Sequence, residues 1–263
     1  MKKKCAKEAL RYIKDNTIIG LGGGSTISYL ISFIKEAGLN IEVVTPSFKT
    51  ASLCIENGLK VIPTWSVSKI SVAFDGCDEV DENLTALKSG GGIHTNEKII
   101  ATMADDYILL VDESKVVKKL EFKYPIVLEI IPESKAFVEK EVKNLGGIPK
   151  MRTSLSKDGI TISDNGLYLM DVEFNKYDIK DISSLNDNLK NIVGVLDTSL
   201  FYNIATKAIV ASEDKIRLIE VSLLDSKTTP AYFGSIVNIE HREENGLCRL
   251  FSIIGVTTGY YQS

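Results

Sequence analysis

Cysteine, histidine and tryptophan are scarce in this chain, with four, two and one of them among 263 residues. Cys5, Cys54, Cys77 and Cys248 lie far apart with no CxxC pair, and only His94 and His241 accompany them, which argues against both a disulfide framework and a zinc site. This usage predicts a reducing, cytoplasmic setting. Long apolar runs are also missing: none approaches the roughly 20 residues that cross a bilayer. Met1-Lys2-Lys3-Lys4 mimics the charged start of a secretory leader, but Ala6-Lys7-Glu8-Ala9-Leu10-Arg11 breaks any apolar segment behind it. No membrane role is expected. Nor does basic charge accumulate. Net charge is −4 with lysine and arginine spread along the chain, so nothing points to nucleic acid. Internal repeats and low-complexity tracts are absent as well.

What is present is core. A 44% hydrophobic chain of this length can bury one large domain or two unequal ones. Cys5 to Ile13 has helical spacing. Thr17 to Leu21 reads as a buried strand, Thr26 to Lys35 as a helix, Ile41 to Thr45 as a strand, Ser47 to Asn57 as a helix and Lys60 to Pro63 as a strand. With Ser71–Phe74, a helix over Glu97–Met103 and the apolar strand Tyr107–Val111, this alternation predicts an α/β fold. The expected form is a doubly wound, Rossmann-like, mostly parallel sheet with helices on both faces. Near Pro125 the pattern changes. A strand at 126–131, a helix at 134–145, strand-like stretches at 149–153, 160–163 and 167–172, a helix near 182–189 and a strand at 192–196 follow a β-α-β-β-α-β order, the ferredoxin-like plan. The expected division is residues 1–125 plus 201–220 as the Rossmann-like unit, 126–200 as an inserted smaller α+β unit, and 221–263 as a C-terminal extension.

The chemistry concentrates in Phe74-Asp75-Gly76-Cys77-Asp78-Glu79-Val80-Asp81 and Leu87-Lys88-Ser89-Gly90-Gly91-Gly92-Ile93-His94-Thr95-Asn96-Glu97-Lys98. Asp75 and Asp78 fall in a turn at the end of a predicted strand, where ligands bind in open α/β sheets. Acids, one lysine and flexible backbone suit proton transfer on a polar anionic metabolite. For any single residue a solvated turn is the simpler account; the set together points to a site.

Gly20-Leu21-Gly22-Gly23-Gly24-Ser25-Thr26, between strand and helix, can cradle a phosphate on free N–H groups, or can be merely a tight connection. It fits neither the dinucleotide fingerprint nor a Walker loop. Asp112-Glu113-Ser114-Lys115 reads as a helix cap with acids in its first turn, or as a loop presenting Lys115 to a phosphate; spacing favours the cap. His94 has no acidic partner beside it and is expected to be a loop residue. Cys77 sits between acids that disfavour its thiolate, so a nucleophilic role is not expected.

These stretches, with Asn96-Glu97-Lys98-Ile99-Ile100-Ala101, Val111–Lys115 and Ser163-Asp164-Asn165-Gly166, occur in an order and spacing that resembles the type A ribose-5-phosphate isomerases over about residues 1–220. The resemblance implies interconversion of ribose 5-phosphate and ribulose 5-phosphate, without cofactor or metal, by a cytoplasmic homodimer or homotetramer. It implies that Glu97 is the base moving a proton between C1 and C2, that Asp75 assists ring opening, and that Asp78 and Lys88 hold sugar oxygens and steady the enediolate. Ser25, Thr26 and Lys115 match phosphate-binding positions, with Gly24, Gly90, Gly91 and Lys2 completing the expected substrate contacts. The bottom-up reading agrees: a carboxylate can shuttle between adjacent carbons, and a lysine with N–H donors can stabilise the oxyanion.

Gly23, Cys77 and Ser89 depart from the family pattern, and at Ser89 a Cβ is expected to restrict the backbone next to Lys88. Relatives end near Glu220, leaving 221–263 without an interpretable motif. Rival readings are a non-catalytic sugar-phosphate sensor, weakened by the absence of a helix-turn-helix before Thr17, and an isomerase of a related aldose phosphate.

Overall fold

Cys5, Ala6 and Ala9 fall on one stripe of the first helix, α1 (Lys2–Ala9), and all three are buried. The computed structural model describes residues 1–155, 157–222, 233–240, 243–244, 247–248 and 251–255. After α1 the chain alternates through β1 (Thr17–Leu21), α2 (Ser25–Ala37), β2 (Ile41–Val44), α3 (Phe48–Glu56), β3 (Lys60–Val61) and β4 (Ile70–Asp75). Ser47, expected inside the helix, instead caps α3 by accepting from the Thr50 N–H, and Gly38 ends α2 in the left-handed conformation that glycine tolerates. A short meander follows, β5 (Glu79–Asp81) and β6 (Ala86–Leu87), then α4 (His94–Met103), β7 (Ala104–Asp112) and β8 (Val116–Val117).

The smaller sheet comes next: β9 (Ile126–Ile130), α5 (Lys135–Asn144), β10 (Ile148–Met151), a hairpin of β11 (Thr153–Ser154) and β12 (Lys157–Ile160), β13 (Tyr168–Glu173), α6 (Ile182–Lys190) and β14 (Val195–Thr198). Its order, β10-β13-β9-β14, is antiparallel throughout and carries both helices on the β-α-β-β-α-β connectivity read from the sequence. Two of the expected strands sit differently. The stretch 160–163 is not a full strand of this sheet; it meets it through an Ile162–Tyr168 bridge and a Ser163 hydroxyl that donates to Glu129 of β9, because the hairpin folds back first. The last strand begins three residues later than expected, since Gly194 at φ +100° makes a turn there. The chain then returns through β15 (Leu200–Phe201), β16 (Lys207–Ala211) and β17 (Ile216–Ser222).

The large sheet runs β17-β16-β7-β4-β1-β2-β3, parallel from β16 to β3, with β17 antiparallel; Phe233–Glu240 and Phe251–Gly255 continue that edge. Of the expected extension, only those segments, residues 221–222 and the pairs 243–244 and 247–248 lie within the described residues. Alternation along the buried strands sends Ile19, Leu21, Val72, Phe74 and Ile108 toward α1 and α2, and Ala73, Leu109 and Val210 toward α4. Both faces are covered. The sequence runs outward from β1 to β3, then crosses back past β1 to β4 and on to β7. The strand order therefore reverses between β1 and β4, and the crevice beyond their carboxyl ends is where such sheets bind ligands.

Candidate active site

The site begins at the end of β1. A Cβ at Gly20 would lie 2.6 Å from Ile100 Cγ2 and 2.7 Å from Ala73 Cβ, so glycine is what lets α4 settle directly on the strand backbone. Two residues on, the Gly22 N–H donates to Phe74 O at 2.8 Å, and Thr50 Oγ1 donates to Gly22 O at 2.8 Å, fixing the loop between β4 and α3. Gly24, at φ +101°, opens α2 with no side-chain cap, leaving the first-turn N–H groups for an anion. Ser25 is exposed at this helix head and accepts from Lys2 Nζ at 2.8 Å; Thr26 is half-buried beside it. Lys2, Gly24, Ser25 and Thr26 thus form one polar patch.

Beside it, β4 ends in Asp75, whose carboxylate lies against Gly22. Lys88, just after β6, places Nζ 3.0 Å from Asp75 Oδ2 and 3.3 Å from Glu97 Oε1, and also donates to Gly76 O. All three side chains are at most 7% exposed. Glu97 lies in the first turn of α4, with Oε2 buried and unpartnered. Two carboxylates share one ammonium here. Burial, then the Asp75 charge, push the Glu97 carboxyl up to about 8 against the opposing pull of Lys88. Burial alone would lower the Lys88 ammonium, but Asp75 and Glu97 hold it above its usual value. The Tyr107 hydroxyl reaches Asp75 Oδ2 at 3.4 Å, and the Phe201 ring stands 5.6 Å from Lys88 Nζ.

Asp78 does different work. Its Oδ2 accepts from the N–H groups of Ser89 at 2.7 Å and Gly90 at 3.1 Å, so it shapes the glycine loop that carries Lys88. Gly91 and Gly92 follow at φ +75° and +72°, where a side chain would be strained. Ser89 is not in that region; its hydroxyl donates to Pro125 O at 2.5 Å, tying the loop to the start of β9. Arg152, which carried no signal in the sequence, clamps the same loop. Its guanidinium binds Asp171 Oδ1 through Nε at 2.9 Å and Nη2 at 2.6 Å, and Nη2 also donates to Ser89 O at 2.8 Å. Only the fold brings residue 152 to residue 89, so no local motif could have announced it.

Lys115 sits in a 3-10 turn after β7, capped as expected by Asp112, which accepts from the Ser114 N–H at 3.2 Å. Its Nζ donates to Cys77 O at 2.5 Å, which turns the side chain toward the segment after β4. Cys77 is buried, which pushes its thiol up to about 12. The expectation for His94 is corrected: it is the first residue of α4, wholly buried, and burial and then Lys98 push its imidazole down to about 4. The glycine run ends one turn earlier than the apolar periodicity suggested, so the helix starts at His94 rather than at Glu97. The structure therefore brings Asp75, Lys88 and Glu97 into direct contact, joins Asp78 and Gly90 to them through the loop, and sets the Ser25 patch alongside, with Gly22 as the joint. Among the described residues no group of three or more His, Cys, Asp or Glu side chains is arranged to hold a metal ion. No helix among them is long and apolar enough to cross a membrane.

The family model of ribose 5-phosphate isomerase A (phosphoriboisomerase A) matches residues 42–215. Ribose-5-phosphate isomerase A of Pyrococcus abyssi is 38% identical over 225 residues, which is 84% of this chain and 97% of that protein. Among solved structures, ribose 5-phosphate isomerase A of Methanocaldococcus jannaschii is 36% identical and superposes with a TM-score of 0.77 over 83% of this chain and 97% of its own. A D-ribose-5-phosphate isomerase in complex with phospho-erythronic acid is 35% identical with a TM-score of 0.78 over the same shares.

Proposed function

The chain belongs to the ribose 5-phosphate isomerase A family, and from that premise we propose that it interconverts D-ribose 5-phosphate and D-ribulose 5-phosphate through an enediolate, with Glu97 moving the proton. The observation that carries the assignment is the buried trio, in which one ammonium faces two carboxylates at 3.0 and 3.3 Å. Phosphate docks on the head of α2, at Gly24, Ser25 and Thr26, with Lys2 and Lys115 supplying positive charge. As the furanose opens, Asp75 accepts the proton of the anomeric hydroxyl and passes it to the ring oxygen as the bond from C1 to that oxygen breaks. Glu97, whose Oε2 makes no hydrogen bond, removes the C2 proton of the open aldose and returns it to C1, while the hydroxyl proton at O2 passes to O1. Negative charge develops on the sugar oxygens, where Lys88 and the N–H groups of the glycine loop stabilise it.

A base raised toward neutrality suits this step, because proton transfer is most efficient when its pKa lies near the working pH. The ligand of the neighbouring enzyme supports the reading: an aldonic acid phosphate has a planar anionic carboxylate where an enediolate has its planar anionic carbons. The catalytic groups all fall in the unit we assign to residues 1–125 and 201–220, with 126–200 as its buttress. The family association also carries the reading that the chain acts as a cytoplasmic homodimer or homotetramer, which sedimentation of the purified protein checks.

Glu97→Gln tests the base. It keeps shape and hydrogen bonding but removes basicity, so kcat falls by about 10²–10⁴ while substrate binding stays near normal. In deuterium oxide the wild type washes solvent deuterium into the sugar and the variant does not. Exchange at the wild-type rate in Glu97→Gln would move the role to Asp75 or Asp78.

A further inference from the structure

A second cleft, of about 910 Å³, opens away from the catalytic trio, between the β5–β6 meander, residues 118–122 and the segment leading into α6. That volume is in the range of small-molecule sites, about 300–1,000 Å³. Four lysines line it, Lys118, Lys119, Lys176 and Lys180, and all are exposed. The acids on the same walls are already committed. Asp81 is buried and accepts from the N–H groups of Asn83 and Thr85, both at 2.9 Å. Glu121 pairs with Lys123 at 2.8 Å, and Asp181 caps α6 by accepting from the Ser184 N–H at 2.9 Å. Among the described residues none of the four lysines makes an ion pair; Lys176 only overlies the Tyr177 ring at 5.3 Å.

The cleft therefore sets four lysines against the three carboxylates of Asp81, Glu121 and Asp181, each of these held by other groups, and the surplus of positive charge favours an anion. Its lip is also built rather than loose. Glu79, 2% exposed, accepts from the backbone N–H groups of Glu121 at 2.6 Å and Phe122 at 3.0 Å, which locks residues 118–122 onto β5. Preformed walls and uncommitted cations are what a phosphate-binding site needs.

We propose that this cleft is a second ligand site, separate from the catalytic phosphate loop, that binds a multiply phosphorylated small molecule. Inorganic tripolyphosphate is the probe, titrated calorimetrically into the folded Ser25→Ala/Thr26→Ala protein, in which the catalytic loop no longer contributes. Binding is expected there, weakening as salt is raised. Adding Lys119→Ala and Lys180→Ala should weaken it at least about tenfold, since charge-assisted hydrogen bonds are lost. Lys118→Ala with Lys176→Ala provides an independent second pair with the same expected loss. In the otherwise wild-type chain these lysine changes leave isomerase kcat and KM unaltered. No tripolyphosphate binding in the Ser25→Ala/Thr26→Ala protein, or binding that neither lysine pair weakens, overturns the proposal.

Discussion

Asp75 occupies the space that any side chain at Gly22 would need: a Cβ built there falls 2.0 Å from Asp75 Oδ1 and 2.1 Å from its Cγ. The phosphate loop and the charged trio are thus packed against each other at a single point, and the glycine is required by a carboxylate 53 positions later rather than by its own backbone angle.

Gly22→Ala should therefore act as a catalytic lesion. Overpacking typically costs about 1–3 kcal/mol, and here the atoms that must move belong to Asp75, which also holds Lys88 at 3.0 Å. The expected outcome is a large drop in kcat with a lowered Tm. Gly23→Ala is the control, because its Cβ would meet nothing closer than Ser47 Oγ at 3.8 Å. Equal activity in the two variants would show that the contact is slack.

The pH dependence follows from Glu97. Its carboxyl is raised from 4.5 to about 8, by burial first and Asp75 second, and the base must be ionised to act. Consequently kcat/KM should rise with pH along a limb far above the ordinary carboxylate range, and Asp75→Asn, which removes the like charge, should move that limb down. Stability runs the other way. A group whose folded pKa is raised keeps its contribution below the unfolded pKa and loses it as pH climbs through the folded value. Glu97→Gln should match wild type in Tm near pH 4.5 and exceed it at pH 9. A limb at ordinary carboxylate pH would refute the assignment of Glu97 as the ionising base.

Arg152 joins Asp171 to the carbonyl of Ser89. Arg152→Ala leaves Asp171 without its partner and frees the loop next to Lys88, at a cost of about 1–3 kcal/mol. Lysine does not restore the function, since a point charge cannot span two acceptors with one planar fork. Both variants should lose kcat more than KM changes. Wild-type kcat in Arg152→Lys would show that charge alone suffices.

Ser25→Ala with Thr26→Ala addresses the phosphate. Each charge-assisted hydrogen bond is worth about 1.5–3 kcal/mol, so KM for ribose 5-phosphate should rise by an order of magnitude or more, with weaker competition by inorganic phosphate. Unchanged values in both would remove the head of α2 from the phosphate site.

Much of this was legible in one dimension. Strand and helix periods placed β1, α2, β2, α3 and β7 within a few residues, because each buries a continuous apolar face. Asp75, Lys88 and Glu97 stood out because acids, a lysine and glycines crowd the end of β4. Other features depend on contacts that periodicity does not encode. Strands of two or three residues, such as β6, β8 and β15, are too short to show a period. His94 reads as loop because no acidic partner stands beside it in sequence, yet it opens α4 and is wholly buried. Arg152 and the fit of Gly22 exist only once distant segments meet.

The helix that carries Glu97 is pinned to the smaller sheet on both sides of that residue. Thr95 Oγ1 donates to buried Glu129, while Lys98 Nζ donates to Asp197 at 2.9 Å and Thr198 O at 2.6 Å. Swinging the two sheets apart would break the Thr95–Glu129 bond and the buried Lys98–Asp197 pair together, a loss of several kcal/mol. Under the proposed mechanism the base is therefore splinted to the smaller sheet, and the sugar is brought to it along the rim of strand ends.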